Sequence, residues 1–233
     1  GLGASAFAAL SRNGSGAGGL VGNTGFGPTV DGAFLPLAPG PAIDAGEAAD
    51  VPIILGTNRD ETAIWIPPGS VTAQTYEQAI DTLFGELAPA VHARYPVDDY
   101  ESPRWAWIRL TGDAQFHCPT RRVARGLRAR LDSPVRRYLF THQAAGATGT
   151  AYGAYHGLEL VFAFQAVDAI ASATGYQSTA ADAGVEDLLG SFWTNFAATG
   201  DPNGGDLPLW EAYGTGTDRT MRLDAYEAEM IGG

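Results

Sequence analysis

Lysine is absent from this chain of 233 residues: all 14 basic residues are arginine, set against 26 carboxylates, for a net charge of -12. Nucleic-acid binding needs a positive footprint to displace counterions from phosphates, so that class of partner is excluded. Low lysine with many aspartates suits a salt-adapted surface, but the richness in Ala and Gly favours codon bias in a GC-rich genome. There is one cysteine, Cys118, so no internal disulfide can form. Followed by Pro119 and a helical pattern, Cys118 reads as a buried structural thiol rather than a nucleophile. No apolar run approaches the ~20 residues of a membrane span, which argues against a membrane partner. No secretory leader is visible. The first residue is Gly1 rather than Met, so the start reads as processed or truncated. The compartment therefore stays open, with cytoplasmic set ahead of secreted.

What is present is enough for a core, since 45% of residues are apolar. Residues 1–28 are rich in Gly and Ser. Gly16-x-Gly18 and Gly22-x-x-Gly25 resemble phosphate loops, but no strand precedes them and no helix follows, so a connector is expected. Residues 51–55, a short apolar run stopped by Gly56, read as a buried parallel strand. Residues 135–140 and 220–223 are two more strand candidates. Between them Tyr76, Ile80, Leu83, Phe84, Leu87 and Val91 recur at helical spacing. Pro119 opens a segment with Val123, Leu127 and Leu131 on one face. Val185, Leu188, Leu189, Phe192, Trp193 and Phe196 form the strongest stripe, ended by Gly200 as a left-handed cap. Strands separated by helices predict an α/β fold with a mostly parallel sheet flanked by helices. Three strands bury a sheet poorly, so further strands are expected on another segment.

Two places carry chemistry. Asp60 and Glu61 follow the first strand, where parallel sheets gather active groups. Successive side chains diverge, so one of the two carboxylates is expected to face a site; a helix N-terminal turn would favour the same residues. His156, in the stretch Tyr155-His156-Gly157-Leu158-Glu159, follows the second strand in a Gly-rich loop, where Gly157 permits a sharp turn. His92 and His117 fall in helical patterns and His142 follows a strand. None has a metal-ligand partner at i+3 or i+4, so no metal is expected. Acid first and histidine 95 positions later is the chain order of an α/β-hydrolase, in which the serine precedes both. No G-x-S-x-G occurs; Ser15 lies between glycines without that spacing.

At these residues the sequence resembles the type B carboxylesterases, the family that includes bacterial p-nitrobenzyl-type esterases and the cholinesterases. The resemblance runs through residues 27–32 with Leu35-Pro36, residues 50–61, and Asp113, Phe116, Cys118 and Pro119 to Ala124. It continues in His156-Gly157-Leu158-Glu159 with Phe162 and Phe164, then Trp193-Thr194-Asn195-Phe196-Ala197, residues 199–203 and residues 207–210. It covers roughly residues 26–226 and implies the C-terminal portion of an α/β-hydrolase fold over residues 26–233, preceded by a poorly matched Gly-rich connector, 1–25. It implies Glu61 as the triad acid and His156 as the base. Glu159 is either a support for the histidine loop or a solvated carboxylate. Ile64 and Trp65 are implied as pocket-lining side chains, with Phe162 and Phe164 either there or in the core. The implied activity is hydrolysis of a small-molecule carboxylic ester through an acyl-enzyme, with no cofactor. The serine and the oxyanion loop are then expected on an N-terminal half of the same protein, and this chain alone is expected to be inactive. The rival readings are a non-catalytic binding protein of the same fold and an inactive truncated fragment.

Overall fold

The computed structural model describes residues 29–225 and 228–232. The Gly-rich connector assigned to 1–25 lies outside the described residues. After a short helix α1 (Pro39–Ala45) the chain enters strand β1 (Ile53–Asn58) and a 3-10 turn (Glu61–Trp65). Helices α2 (Ala73–Phe84), α3 (Ala88–Arg94) and α4 (Pro103–Gly112) follow. A π turn (Asp113–His117) leads directly into α5 (Cys118–Arg128) and then β2 (Val135–Phe140). Helices α6 (Gly146–Tyr152), α7 (Leu158–Ala163), α8 (Val167–Thr174) and α9 (Ala180–Thr199) precede strands β3 (Thr220–Leu223) and β4 (Ala228–Ile231).

The sheet order is β1-β2-β3-β4. The first two pairings are parallel, with Ile53 opposite Val135 and Asn58 opposite Phe140, then Phe140 opposite Leu223. The last is antiparallel, with Leu223 opposite Ala228. Alternation along the strands sends side chains to both faces. Ile54, Tyr138, Phe140, Met221 and Leu223 pack against Val185, Leu189 and Phe192 of α9. Ile53, Leu55 and Val135 pack against Ala124 and Leu127 of α5. Both faces are thus covered, as a parallel sheet requires. A third cluster, built on Tyr76, Ile80, Val91, Trp107 and Ile108, belongs to α2, α3 and α4 and supports the turn after β1. The fold is that of an α/β-hydrolase portion, with helices on a mixed sheet.

Three expectations shift. The first strand begins and ends later than residues 51–55, because Gly56, Thr57 and Asn58 continue the ladder opposite Tyr138, Leu139 and Phe140. A side chain at Gly56 would collide with the Tyr138 ring, so the glycine permits close approach rather than stopping the strand. The helical stripe over 76–91 is divided at Gly85 into α2 and α3. Strand β4 is not expected from the sequence: Ala-Glu-Met-Ile shows no apolar-polar alternation, and none of its residues is fully buried. Residues 135–140, 220–223 and the helix closed by Gly200 stand as read. Among the described residues no helix is long and apolar enough to cross a membrane.

Candidate active site

Strand β1 ends at its carboxyl edge in the turn that carries both acids. Arg59 N–H donates to the Phe140 carbonyl (2.9 Å) and Asp60 N–H to the Ala154 carbonyl (2.9 Å), so this turn is fastened to β2 and to the loop that bears His156. Glu61 is 5% exposed. Its Oε1 accepts from the backbone N–H of Asn58 at 2.8 Å, and its Oε2 lies 2.6 Å from His156 Nδ1. The 3-10 turn is gripped from below by α4. Thr62 Oγ1 meets Thr111 Oγ1 at 2.7 Å, and the buried Arg104 donates to the carbonyls of Ile66 (2.6 Å) and Ala63 (3.2 Å).

Asp60 points the other way. It is 1% exposed, accepts from Ala154 N–H at 2.9 Å, and pairs with Arg59 (3.2 Å) and Arg109 (3.1 Å). Of the two adjacent carboxylates, only Glu61 reaches an imidazole.

The histidine turn runs between Gly153 (φ 61°) and Gly157 (φ 81°), conformations that residues with a Cβ rarely adopt. A Cβ on Gly153 would also strike the Asp60 carboxylate. His156 is 48% exposed in its side chain. Its ring sits against Trp65 (5.2 Å between centroids) and Phe116 (5.3 Å). A carboxylate can only accept, so Nδ1 carries the proton and Nε2 presents a lone pair. Nε2 has no hydrogen-bond partner among the described residues. The hydrogen bond to Glu61 raises the His156 pKa above that of an ordinary histidine, outweighing the opposing effect of burial.

Glu159 is no solvated carboxylate. It is half-buried and receives the side-chain amide of Asn58, which also donates to the Tyr155 carbonyl at 2.7 Å. Burial raises its pKa, and Glu61 nearby pushes the same way. Asn58 thereby ties the acid turn to the histidine turn through its backbone and its side chain. Sequence reasoning passed over Asn58 as part of the acid motif, although its place at the strand end was a signal. It also set His117 aside as helical. That ring lies 2.8 Å from both Asp113 Oδ1 and the Asn58 carbonyl oxygen, a contact across 59 positions that no local pattern announces.

The remaining sequence-derived candidates divide. Trp65 joins the site through its ring contact, and both it and Ile64 are partly exposed, at 41% and 38%. Phe162 is buried in the core against Phe140 and His142. Phe164 is 77% exposed and belongs to no core cluster. Cys118 is half-buried, and burial raises its pKa, as befits an inert thiol. Two cavities border the acid turn at Arg59, of about 680 and 440 Å³, and neither is lined by Glu61 or His156. Glu61 is buried beneath the half-exposed His156 ring.

With this geometry in view, the relatives are informative. The chain is 30% identical over 203 residues to the para-nitrobenzyl esterase of Bacillus subtilis (strain 168), a match covering 86% of this chain and 40% of that protein. It is 27% identical over 229 residues to carboxylesterase 1C of Mus musculus, covering 85% and 40%. It is 29% identical over 194 residues to the phenmedipham hydrolase of Pseudarthrobacter oxydans, covering 81% and 38%. The chain thus spans about 40% of the length of these curated relatives. The sequence pattern described as the carboxylesterase family matches residues 6–231. The chain therefore belongs to the carboxylesterase family.

Proposed function

We propose that this chain supplies the acid and the base of a serine carboxylesterase that hydrolyses small-molecule carboxylic esters. The observation that carries the reading is the 2.6 Å contact between Glu61 Oε2 and His156 Nδ1, which leaves Nε2 free. A serine hydroxyl placed at Nε2 would lose its proton to the ring as it attacks the ester carbonyl. The imidazolium formed would be stabilised by Glu61 and would then give its proton to the leaving alcohol. The resulting acyl-enzyme is cleared by water along the same route. This scheme calls on no metal or organic cofactor.

The nucleophile and the oxyanion donors are assigned to residues N-terminal to this stretch, in a single catalytic domain to which residues 26–233 contribute the C-terminal part. Three facts support this: the chain lacks G-x-S-x-G, it matches about 40% of the relatives' length, and β1 is paired on one side only among the described residues. A further parallel strand on the open edge of β1 would place a nucleophile turn at the rim where Glu61 and His156 meet. Trp65 and Ile64 are assigned to the substrate side of the pair, where their apolar surfaces suit an uncharged acyl or alkyl group.

The test is ester turnover by the complete protein carrying Glu61→Gln or His156→Ala. Each is expected to lower kcat by at least about 100-fold with the fold intact. Near-native rates in either variant would reject the assignment. The chain alone is expected to resist labelling by a serine-directed fluorophosphonate, and labelling would contradict the division of the triad.

A further inference from the structure

His117 differs from His156 in one respect that geometry alone establishes: both of its ring nitrogens face acceptors. Nδ1 lies 2.8 Å from Asp113 Oδ1, and Nε2 lies 2.8 Å from the Asn58 carbonyl oxygen. A carbonyl oxygen can only accept, and so can an ionised carboxylate. Asp113 is ionised: burial pushes its pKa up, but the hydrogen bonds from His117 and from the Tyr95 hydroxyl (2.7 Å) bring it below the usual carboxylate range. Each nitrogen of His117 therefore needs its own proton.

We propose that His117 is a doubly protonated positioning residue that holds the Glu61–His156 pair from behind, by donating simultaneously to Asp113 and to the Asn58 carbonyl. The proposal rests on the reading of that pair as acid and base. Asn58 is the middle of the chain of contacts. Its carbonyl is held by His117, its N–H is donated to Glu61, and its amide binds Tyr155 and Glu159. The residue before His117, Phe116, packs on the His156 ring at 5.3 Å. One π turn thus reaches both members of the pair.

The charge on His117 has a second consequence. It balances the half-buried Asp113 carboxylate, 2.8 Å from its Nδ1. The groups that act on the ring or on its partner are Asp113, Tyr95, Tyr100, Glu61, Arg94 and Arg109, with Cys118 adjoining. Burial alone would lower the His117 pKa, but Asp113 and the Asn58 carbonyl together raise it above the ordinary value. The brace is therefore complete below that raised pKa and weakens as pH rises through it.

The test begins with the unmodified protein. In a sample labelled with nitrogen-15 at histidine, magnetic resonance near neutral pH is expected to show both His117 ring nitrogens protonated. A neutral His117 ring overturns the proposal, whatever the catalytic status of His156. Two variants then test positioning. His117→Leu, which removes both donors, is expected to broaden the His156 Nδ1 proton signal. In the complete esterase it is expected to lower kcat by about 10-fold with KM nearly unchanged. His117→Gln, which retains one donor, is expected to recover part of both effects. An unchanged His156 signal together with native kcat in His117→Leu rejects the positioning role. If the complete protein turns over no ester, the triad reading fails instead, while the resonance measurements still decide the state of His117. Should His117→Leu not fold, the unmodified protein and His117→Gln supply the same decision.

Discussion

Asp60 and Glu61 are neighbours in sequence whose carboxylates serve opposite sides of one turn. Glu61 is directed to His156, whereas Asp60 is sealed among Arg59, Arg109 and the Ala154 N–H. Their substitutions should separate cleanly. Glu61→Gln should lower turnover by at least about 100-fold with little change in the urea midpoint. Asp60→Ala should cost on the order of 3 kcal/mol by stranding Arg109 and the Ala154 N–H. Parallel urea melts and ester assays check both. Equal stability loss in the two variants would contradict the division of labour.

Gly153 offers a sharper structural test, because two independent constraints meet there. Its φ of 61° disfavours any side chain, and a Cβ would run into Asp60. Gly153→Ala should destabilise the protein by about 2 kcal/mol or more. A midpoint unchanged within error would show that the turn relaxes more freely than its contacts imply.

Arg104 is buried, yet its main partners are carbonyl oxygens rather than a carboxylate. It tethers the far end of the 3-10 turn, just beyond Glu61. Arg104→Leu leaves the carbonyls of Ala63 and Ile66 without that donor, at a cost of about 2 kcal/mol. Fluorescence of Trp65, inside the same turn, should shift with it. A native spectrum with its maximum unshifted would count against the tether.

The raised pKa of His156 sets the acid side of the pH profile. Catalysis needs the neutral ring, so the rising limb of kcat/KM should lie above about 6.5, the value of an unperturbed histidine. For stability the sign is reversed. Relative to the unfolded chain, the His156–Glu61 contact contributes fully below the ordinary imidazole value and fades as pH rises through the raised one. Glu61→Gln removes the main cause of the shift and should carry the His156 titration downward. A titration that stays in place in that variant would assign the shift to some other group.

Much of this site could be read before any coordinates, and the reason is local. Residues 50–61 encode a strand and an acid beyond it within twelve positions. His156 and Gly157 encode a sharp turn in the same way, and the order of the two pieces along the chain implies that they meet. What could not be read is what joins them. Asn58 spans to Tyr155 and Glu159 across about a hundred positions, and His117 reaches Asn58 from the end of a π turn that looks like ordinary helix in sequence. Such contacts depend on how α4 and α5 sit against the sheet, a tertiary fact with no period of its own. Strand β4 was missed for a different reason, since an antiparallel edge strand of four residues with half-exposed side chains gives no alternation to count. Gly56 misled because glycine terminates many strands, whereas here it makes room for a tyrosine ring across the ladder.

The one-sided pairing of β1 bears on handling as well as on catalysis. Among the described residues no strand neighbours that edge, which carries the apolar β-branched Ile53 and Ile54, and an unpaired edge invites another extended segment to dock. Produced without the further strand proposed to lie along that edge, this polypeptide should recruit copies of itself, and precipitation should precede any loss of helix content. A complementary extended segment supplied in trans should then restore dispersity, which light scattering would read.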